Sequence, residues 1–389
     1  MNDGPAADPA TARPQAPHLA PGRDGGGPEW RPMSEGEAGE LGEAGPADGG
    51  RGRARLLAVL VVTVLAVLGA AAYVVHARRE SLRATERAPH AATGGDWASV
   101  SAGPHVVFRN TGAGADQGRV AVVPLTAPSG PRAITPASCD RVYATRVRAV
   151  CLSARTVLTT RSYQVRLLRP DWTTERDLGR LTGLYSRTRL SPDGGLAAVT
   201  AFVYGDSYTS PGAFSTRTTI NPAGGGQPSD LEKFTLVVDG KVRRDRDRNF
   251  WGVTFADGDR FYATALVGGK TWLVRGSLAD RRLTALYEDV ECPSLSPDGT
   301  RIAYKKHGDL PDGEWRLTVL DLATGRQTTL AETRSVDDQP EWLDDRHVLY
   351  GLQSGPMATR TTDVWMADAD GGGTPQLFIP HAWSPAVVR

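Results

Sequence analysis

The sequence predicts an all-β fold, a six-bladed β-propeller, preceded by a disordered tail and one transmembrane helix. Three observations carry that prediction. A four-stranded unit, Cys292–Ala331, recurs on both sides of itself. The C-terminal segment His381–Pro385 matches the first strand of that unit, which the earliest strands after residue 100 lack. One run of twenty uncharged residues, Leu56–Val75, precedes all the repeats.

In the reference unit, residues 292–296 form a first strand that enters the turn Ser296-Pro297-Asp298-Gly299. Proline presets φ at the second turn position, and Asp and Gly tolerate the bend that follows. Arg301–Tyr304 reads as a second strand and Lys306–Glu314 as a polar loop. In the third strand, Trp315–Leu322, Trp315, Leu317 and Val319 alternate with Arg316, Thr318 and Leu320. Ala323-Thr324-Gly325 turns the chain into a short fourth strand, Arg326–Leu330. One such sheet cannot bury both faces, whereas a ring of them can.

The copies are found by sliding this pattern. Phe255–Phe261 aligns with Ser296–Ile302 at a shift of 41 residues. Trp342–Tyr350 repeats the turn and second strand, and Thr362–Asp368 mirrors Arg316–Leu322. Upstream, Ser191-Pro192-Asp193-Gly194 repeats the turn verbatim, with Phe234–Asp239 read as its third strand. A spacing of about 40 residues is that of propeller blades. These turns, each followed by an apolar strand, resemble the repeats of TolB-like β-propeller proteins. The whole chain resembles the membrane-anchored actinobacterial type, over about residues 100–389. The resemblance implies an extracytoplasmic propeller with a non-enzymatic role.

Residues 1–50 are rich in Gly, Pro, Ala and Glu and carry nine acidic side chains against three Arg. Such a segment buries too little apolar surface to offset its ordering entropy, so a disordered acidic tail is expected. Leu56–Val75 then supplies twelve Leu or Val residues, worth roughly −4 to −7 kcal/mol on insertion, and twenty residues span about 30 Å as a helix. The reading is an uncleaved signal-anchor over 56–76, with a cleaved signal peptide as the alternative. Residues 77–100 read as a stalk and 101–389 as the propeller. Arginines flank the span on both sides, so they do not orient it. The cysteine pattern does, placing the tail in the cytoplasm and the propeller outside, at the cell membrane.

His105–Phe108, Arg119–Leu125 and Arg132–Thr135 look like strands two, three and four of a blade whose first strand comes from the C-terminus. Blade two, about Ser138–Leu178, carries Cys139 and Cys151 on adjacent antiparallel strands, where a disulfide is expected and two buried thiols are the alternative. Cys292 has no evident partner and reads as a core residue. Blades three to six follow at about Tyr185–Asp245, Phe250–Leu286, Glu291–Ala331 and Gln339–Ile379. Weak repeats in the first 180 residues leave seven blades as an alternative.

Catalytic patterns are missing from the sequence. Gly205–Thr209 is not a nucleophile elbow, because it ends in Thr, and there is no HExxH or paired CxxC. Gly112–Gly118 only approaches a dinucleotide fingerprint and precedes a strand. The propeller's four histidines, His105, His307, His347 and His381, fall on different blades. No metal or cofactor is expected. A net charge of +1 gives no field favouring nucleic acid. Of 45 Lys and Arg residues only five are Lys, which reflects a GC-rich genome more than a partner.

Asp193 and Asp298 are assigned to capping their own turns, and Trp315, Trp342 and Trp365 to inter-blade packing. Loops between strands two and three read as long, above all Gly205–Lys233. The binding face is therefore expected there, through Asp206, Tyr208, Phe214 and Arg217, with Arg334, Asp337 and Asp338 from the connection before blade six. The function expected is a non-catalytic scaffold for an envelope protein or cell-wall component. The alternatives are a propeller lyase or glycan hydrolase with an axial-channel site, and a single-span ligand sensor.

Overall fold

The computed structural model describes residues 49–87, 91–157, 160–204, 214–354 and 361–389. Helix α1 (Gly49–Arg87) contains one stretch, Arg55–Ala77, long and apolar enough to cross a bilayer, with mean hydropathy 2.6. Its Leu and Val side chains are exposed on every face, as a lipid-facing helix requires. Thr63 donates its hydroxyl to the Val59 carbonyl at 2.8 Å, so the segment's hydroxyl is satisfied within the helix.

The rest is β-structure, apart from a short helix α2 (Trp97–Ser101) capped by Asp96. Residues 92 and 94 exchange backbone hydrogen bonds with Arg132, and Trp97 and Val100 pack on blade one, so packed structure begins inside the segment read as stalk. Blade one takes β1 (His105–Asn110), β2 (Arg119–Pro124) and β3 (Ala133–Ser138). Blade two is β4 (Arg141–Ala144), β5 (Ala149–Val157), β6 (Thr160–Leu168) and β7 (Thr174–Thr182). Blade three is β8 (Leu184–Leu190), β9 (Leu196–Tyr204), β10 (Phe214–Pro222) and β11 (Ser229–Asp230). A hairpin, β12 (Thr235–Val238) and β13 (Lys241–Arg243), comes next. Blade four is β14 (Asn249–Phe255), β15 (Arg260–Val267), β16 (Lys270–Ser277) and β17 (Arg282–Glu288). Blade five is β18 (Glu291–Leu295), β19 (Arg301–Lys306), β20 (Arg316–Asp321) and β21 (Gln327–Thr329). Blade six is β22 (Glu341–Trp342), β23 (His347–Ser354), β24 (Thr361–Asp368) and β25 (Gln376–Ile379). The last strand, β26 (Ala382–Val388), pairs with β1 and completes blade one as its innermost strand.

Six blades close the ring, and the packing shows why. Successive residues of a strand face opposite sides. On β1, Val107 packs toward blade two, while Val106 and Phe108 pack toward blade six. On β5, Cys151 faces blade one, while Val150 and Leu152 face blade three. Each sheet is thus buried on both faces, and one apolar cluster fills each of the six gaps. The closing strand is held by side chains as well. Arg132 donates to the Pro380 and His381 carbonyls at 2.6 and 2.8 Å, and Ser384 donates to the Val142 carbonyl at 2.9 Å. His381 lies just before β26 rather than on it.

The Ser-Pro-Asp-Gly turns are structural, as read. Asp298 accepts from the Ser296 hydroxyl at 2.5 Å and from the Thr300 amide at 3.0 Å; Asp193 does the same for Ser191 and Gly195 at 2.5 and 2.9 Å. Gly194 and Gly299 follow with φ of 69° and 70°, where a Cβ would be strained. The disulfide also forms: Cys139 and Cys151 are bonded with their Cα atoms 5.4 Å apart.

Two expectations change. Phe234–Asp239, read as the third strand of blade three, contains β12, which leaves that blade and adds in parallel to β17. The third strand is β10, inside the stretch Gly205–Lys233 that was read as loop. Its buried face is Thr216, Thr218 and Ile220, and the Thr218 and Thr200 hydroxyls bond at 2.9 Å across the pair. Threonines satisfied by hydrogen bonds left no apolar alternation to read.

Candidate binding site at the mouth of the axial channel

The innermost strands aim side chains at the ring axis. Register with the second strands makes Tyr143, Arg189, Thr254, Ser294, Glu341 and Ala386 equivalent positions in the six blades. In this layer Arg189 is paired with Glu341 and donates to Ser294 Oγ at 3.1 Å, and Tyr143 donates to Glu341 at 3.4 Å. Burial, then the Glu341 carboxylate, push the Tyr143 hydroxyl up to about 12. Burial also opposes the charge on Arg189, but Glu341 and Tyr143 outweigh it and hold the guanidinium protonated.

One step toward the loop face, Arg187 grips Asp338 with two bonds, Nε–Oδ1 at 2.9 Å and Nη2–Oδ2 at 2.6 Å. Their side chains are 3% and 1% exposed. Arg141 approaches the same carboxylate at 3.5 Å. Four innermost strands are bulged at this level: β8 after Tyr185, β14 at Gly252, β18 at Cys292 and β26 at Ser384. Gly252, Cys292 and Ser384 take φ between 50° and 66°. A bulge re-aims neighbouring side chains. Here it coincides with Tyr185, Trp251 and Glu291 lining the mouth.

That mouth is a cavity of about 340 Å³, walled by Tyr185, Phe202, Trp251 and Trp315 among others. Lys305 lies 3.8 Å from the Trp315 ring centroid and 2.7 Å from Asp337, and the Trp315 indole donates to Glu291 at 2.9 Å. Burial disfavours the Lys305 ammonium, but the anionic groups around it, Asp337 and Glu291 among them, raise its pKa. The Cys292 thiol also lines the cavity, and burial pushes it up to about 12, which disfavours the thiolate. Among the described residues no group of three or more His, Cys, Asp or Glu is placed to hold a metal.

Of the residues named from sequence, Asp337 and Asp338 line this cavity. Asp206 and Tyr208 lie outside the described residues, as does the side chain of Phe214, whose backbone begins β10. Arg217 is exposed on β10. Arg334 stacks 3.9 Å over Trp365 and pairs with Glu332 at 2.6 Å, away from the cavity. Trp342 packs between blades, as expected, with its indole bonded to the Ser294 carbonyl at 2.8 Å. Trp315 does not; it faces the mouth. Sequence reasoning missed Arg141, Arg187, Glu291 and Lys305. For Arg141 and Glu291 the signal was the first residue of an innermost strand; Arg187 lies within β8, and Lys305 lies on the second strand β19, opposite Glu291.

No known family profile matches the sequence, and no curated protein matches it either. Solved structures do. TolB from Acinetobacter baumannii aligns with TM-score 0.51 and 16% identity, over 76% of this chain and 68% of that one. A putative TolB from Agrobacterium tumefaciens aligns at 0.43 and 13%, over 71% and 87%. An oligogalacturonate lyase in complex with manganese aligns at 0.42 and 12%, over 65% and 72%. At such identities the likeness is one of fold: the chain is a β-propeller of the architecture seen in TolB.

Proposed function

We propose that this chain is a single-pass membrane protein whose propeller, outside the cytoplasm, binds an envelope protein or cell-wall component without catalysis. Residues 56–76 are the anchor, the N-terminus is cytoplasmic, and the ligand docks at the mouth of the axial channel on the loop face. The Cys139–Cys151 bond supports an oxidising compartment. One observation carries the non-catalytic reading: the acids on the axis, Asp338 and Glu341, are each engaged by buried guanidinium groups. A general acid or base must reach the substrate within hydrogen-bond distance, and these pairings occupy both carboxylates. The aromatic walls, with a polar charge cluster at their centre, suit recognition.

A photo-crosslinking side chain at Trp315 in intact cells tests this, with one at Val147 on the turn face as control. Defined envelope adducts at position 315 but not at 147 support the reading. Equal labelling of both faces, or none, defeats it. A second reading, a lyase or glycan hydrolase, is favoured by the convergence of Tyr143, Arg189 and Glu341 on the axis. Turnover of an envelope glycan that is abolished in Glu341→Gln would establish that reading instead.

A further inference from the structure

Beside the axial mouth, a second cavity of about 390 Å³ is lined from blades six, one and two and by Tyr185 of blade three. Its charged lining is two arginines, Arg109 and Arg141; no carboxylate lines it among the described residues. Both have second-hand counter-ions. Arg109 is 3.5 Å from Asp140, whose other oxygen accepts the Ala154 amide at 2.6 Å. Arg141 is 3.5 Å from Asp338, which Arg187 already holds by two shorter bonds. Nε of Arg109, and Nε and Nη1 of Arg141, are buried without a hydrogen-bond acceptor. The Trp383 and Tyr185 rings, 4.7 and 5.5 Å from the Arg141 guanidinium carbon, fix the plane of the group.

A guanidinium whose nearest carboxylate lies at 3.5 Å and is held by other donors keeps charge to share, and an oxyanion is the group that pairs with it. The rest of the wall narrows the ligand. Asn110, Thr111, Gln117 and Thr362 make the rest of the described wall polar, and among the described residues no aliphatic side chain lines it. Such a wall suits a hydroxylated body better than an apolar side chain. We propose that this cavity is a subsite for an acidic sugar, with the carboxylate between Arg109 and Arg141 and the hydroxyls toward the polar wall at Gln117. It goes beyond the reading of the axial mouth, with which the cavity shares Arg141 and Tyr185; Arg109 lines this cavity and not the mouth, so its variant separates the two.

The test uses the full chain in detergent, with D-glucuronate, D-glucose and N-acetyl-triglycine as probes, by saturation-transfer NMR and calorimetry. Glucuronate is expected to bind about tenfold or more tighter than either other probe, a gap of about 1.4 kcal/mol. Arg141→Gln and Arg109→Gln should each lose about tenfold in glucuronate affinity. Arg109 is the more exposed of the two, 28% against 13%, so its variant keeps the test valid if Arg141→Gln fails to fold. The proposal falls if glucuronate does not bind, if glucose binds equally, or if folded Arg109→Gln keeps full affinity. Preferred binding of N-acetyl-triglycine would assign the cavity to peptide carboxylates and overturn the sugar.

Discussion

Arg187 and Asp338 meet beside the ring axis in a two-point ion pair, although 151 residues separate them in the chain. Asp338 also accepts the Gly351 amide at 3.2 Å, which ties blade three to blade six. Replacing it with Asn leaves Arg187 and Arg141 without their anion inside the ring. Breaking a buried pair in this way costs about 3–5 kcal/mol. Chemical denaturation of Asp338→Asn should show a loss of that size, and Arg187→Met with Asp338→Leu should recover part of it. An unshifted midpoint in the single variant would mean the pair contributes nothing.

The Cys139–Cys151 bond closes a loop of sequence separation 12 at the start of blade two. Constraining so short a loop contributes about 2–3 kcal/mol. A non-reducing peptide map should contain the linked peptide, and alkylation after unfolding should label Cys292 alone. The paired Cys→Ala variant should unfold at lower denaturant; both thiols labelled in the native protein would contradict the bond.

Ring closure depends on β26. Removing residues 382–389 exposes Val106 and Val107 of β1 and takes away the carboxy-terminal partner of five register pairs. The cooperative melting transition should disappear, leaving a broad one. A deletion variant melting like the parent would show that blade one is complete without that strand.

Glu232 titrates against the fold. Its carboxyl is raised from an ordinary 4.5 to about 8, by burial first and then by Asp230, against the opposing Thr216 hydrogen bond and Arg248. The folded chain holds this proton more tightly than the unfolded chain, so the contribution is complete below about 4.5 and lost as pH rises through about 8. Denaturant midpoints should therefore fall between these values, and Glu232→Gln should flatten that slope. A parent and variant with parallel profiles would show that Glu232 is solvated.

Blade architecture was legible wherever a turn spelled itself out chemically and the following strand was aliphatic, as at Ser296–Tyr304. Closure was legible because Ala382–Pro385 copies a strand the beginning lacks. β10 was not, because its core face is threonine. The site was half legible: Asp337 and Asp338 stood in a polar connection, but Arg187 and Lys305 sit inside strands, where a charge reads as solvent-facing. At Arg187 the β8 bulge re-aims the strand, and Lys305 is placed opposite Glu291 at the mouth; neither relation shows in one strand's sequence.

The β12–β13 hairpin has a consequence for how the molecule comes apart. Its two-residue turn, Asp239-Gly240, takes φ of 50° and 73°, and Leu231, Phe234, Leu236 and Val238 are buried against blade four. The chain leaving blade three is thus woven into its neighbour's outer edge before that neighbour's own first strand begins. Among the described residues this is the seam at which a hairpin joins the sheet of the next blade. Blades three and four therefore release as a fused pair, and amide exchange along β12 and β17 reports rupture of the whole ring rather than local fraying.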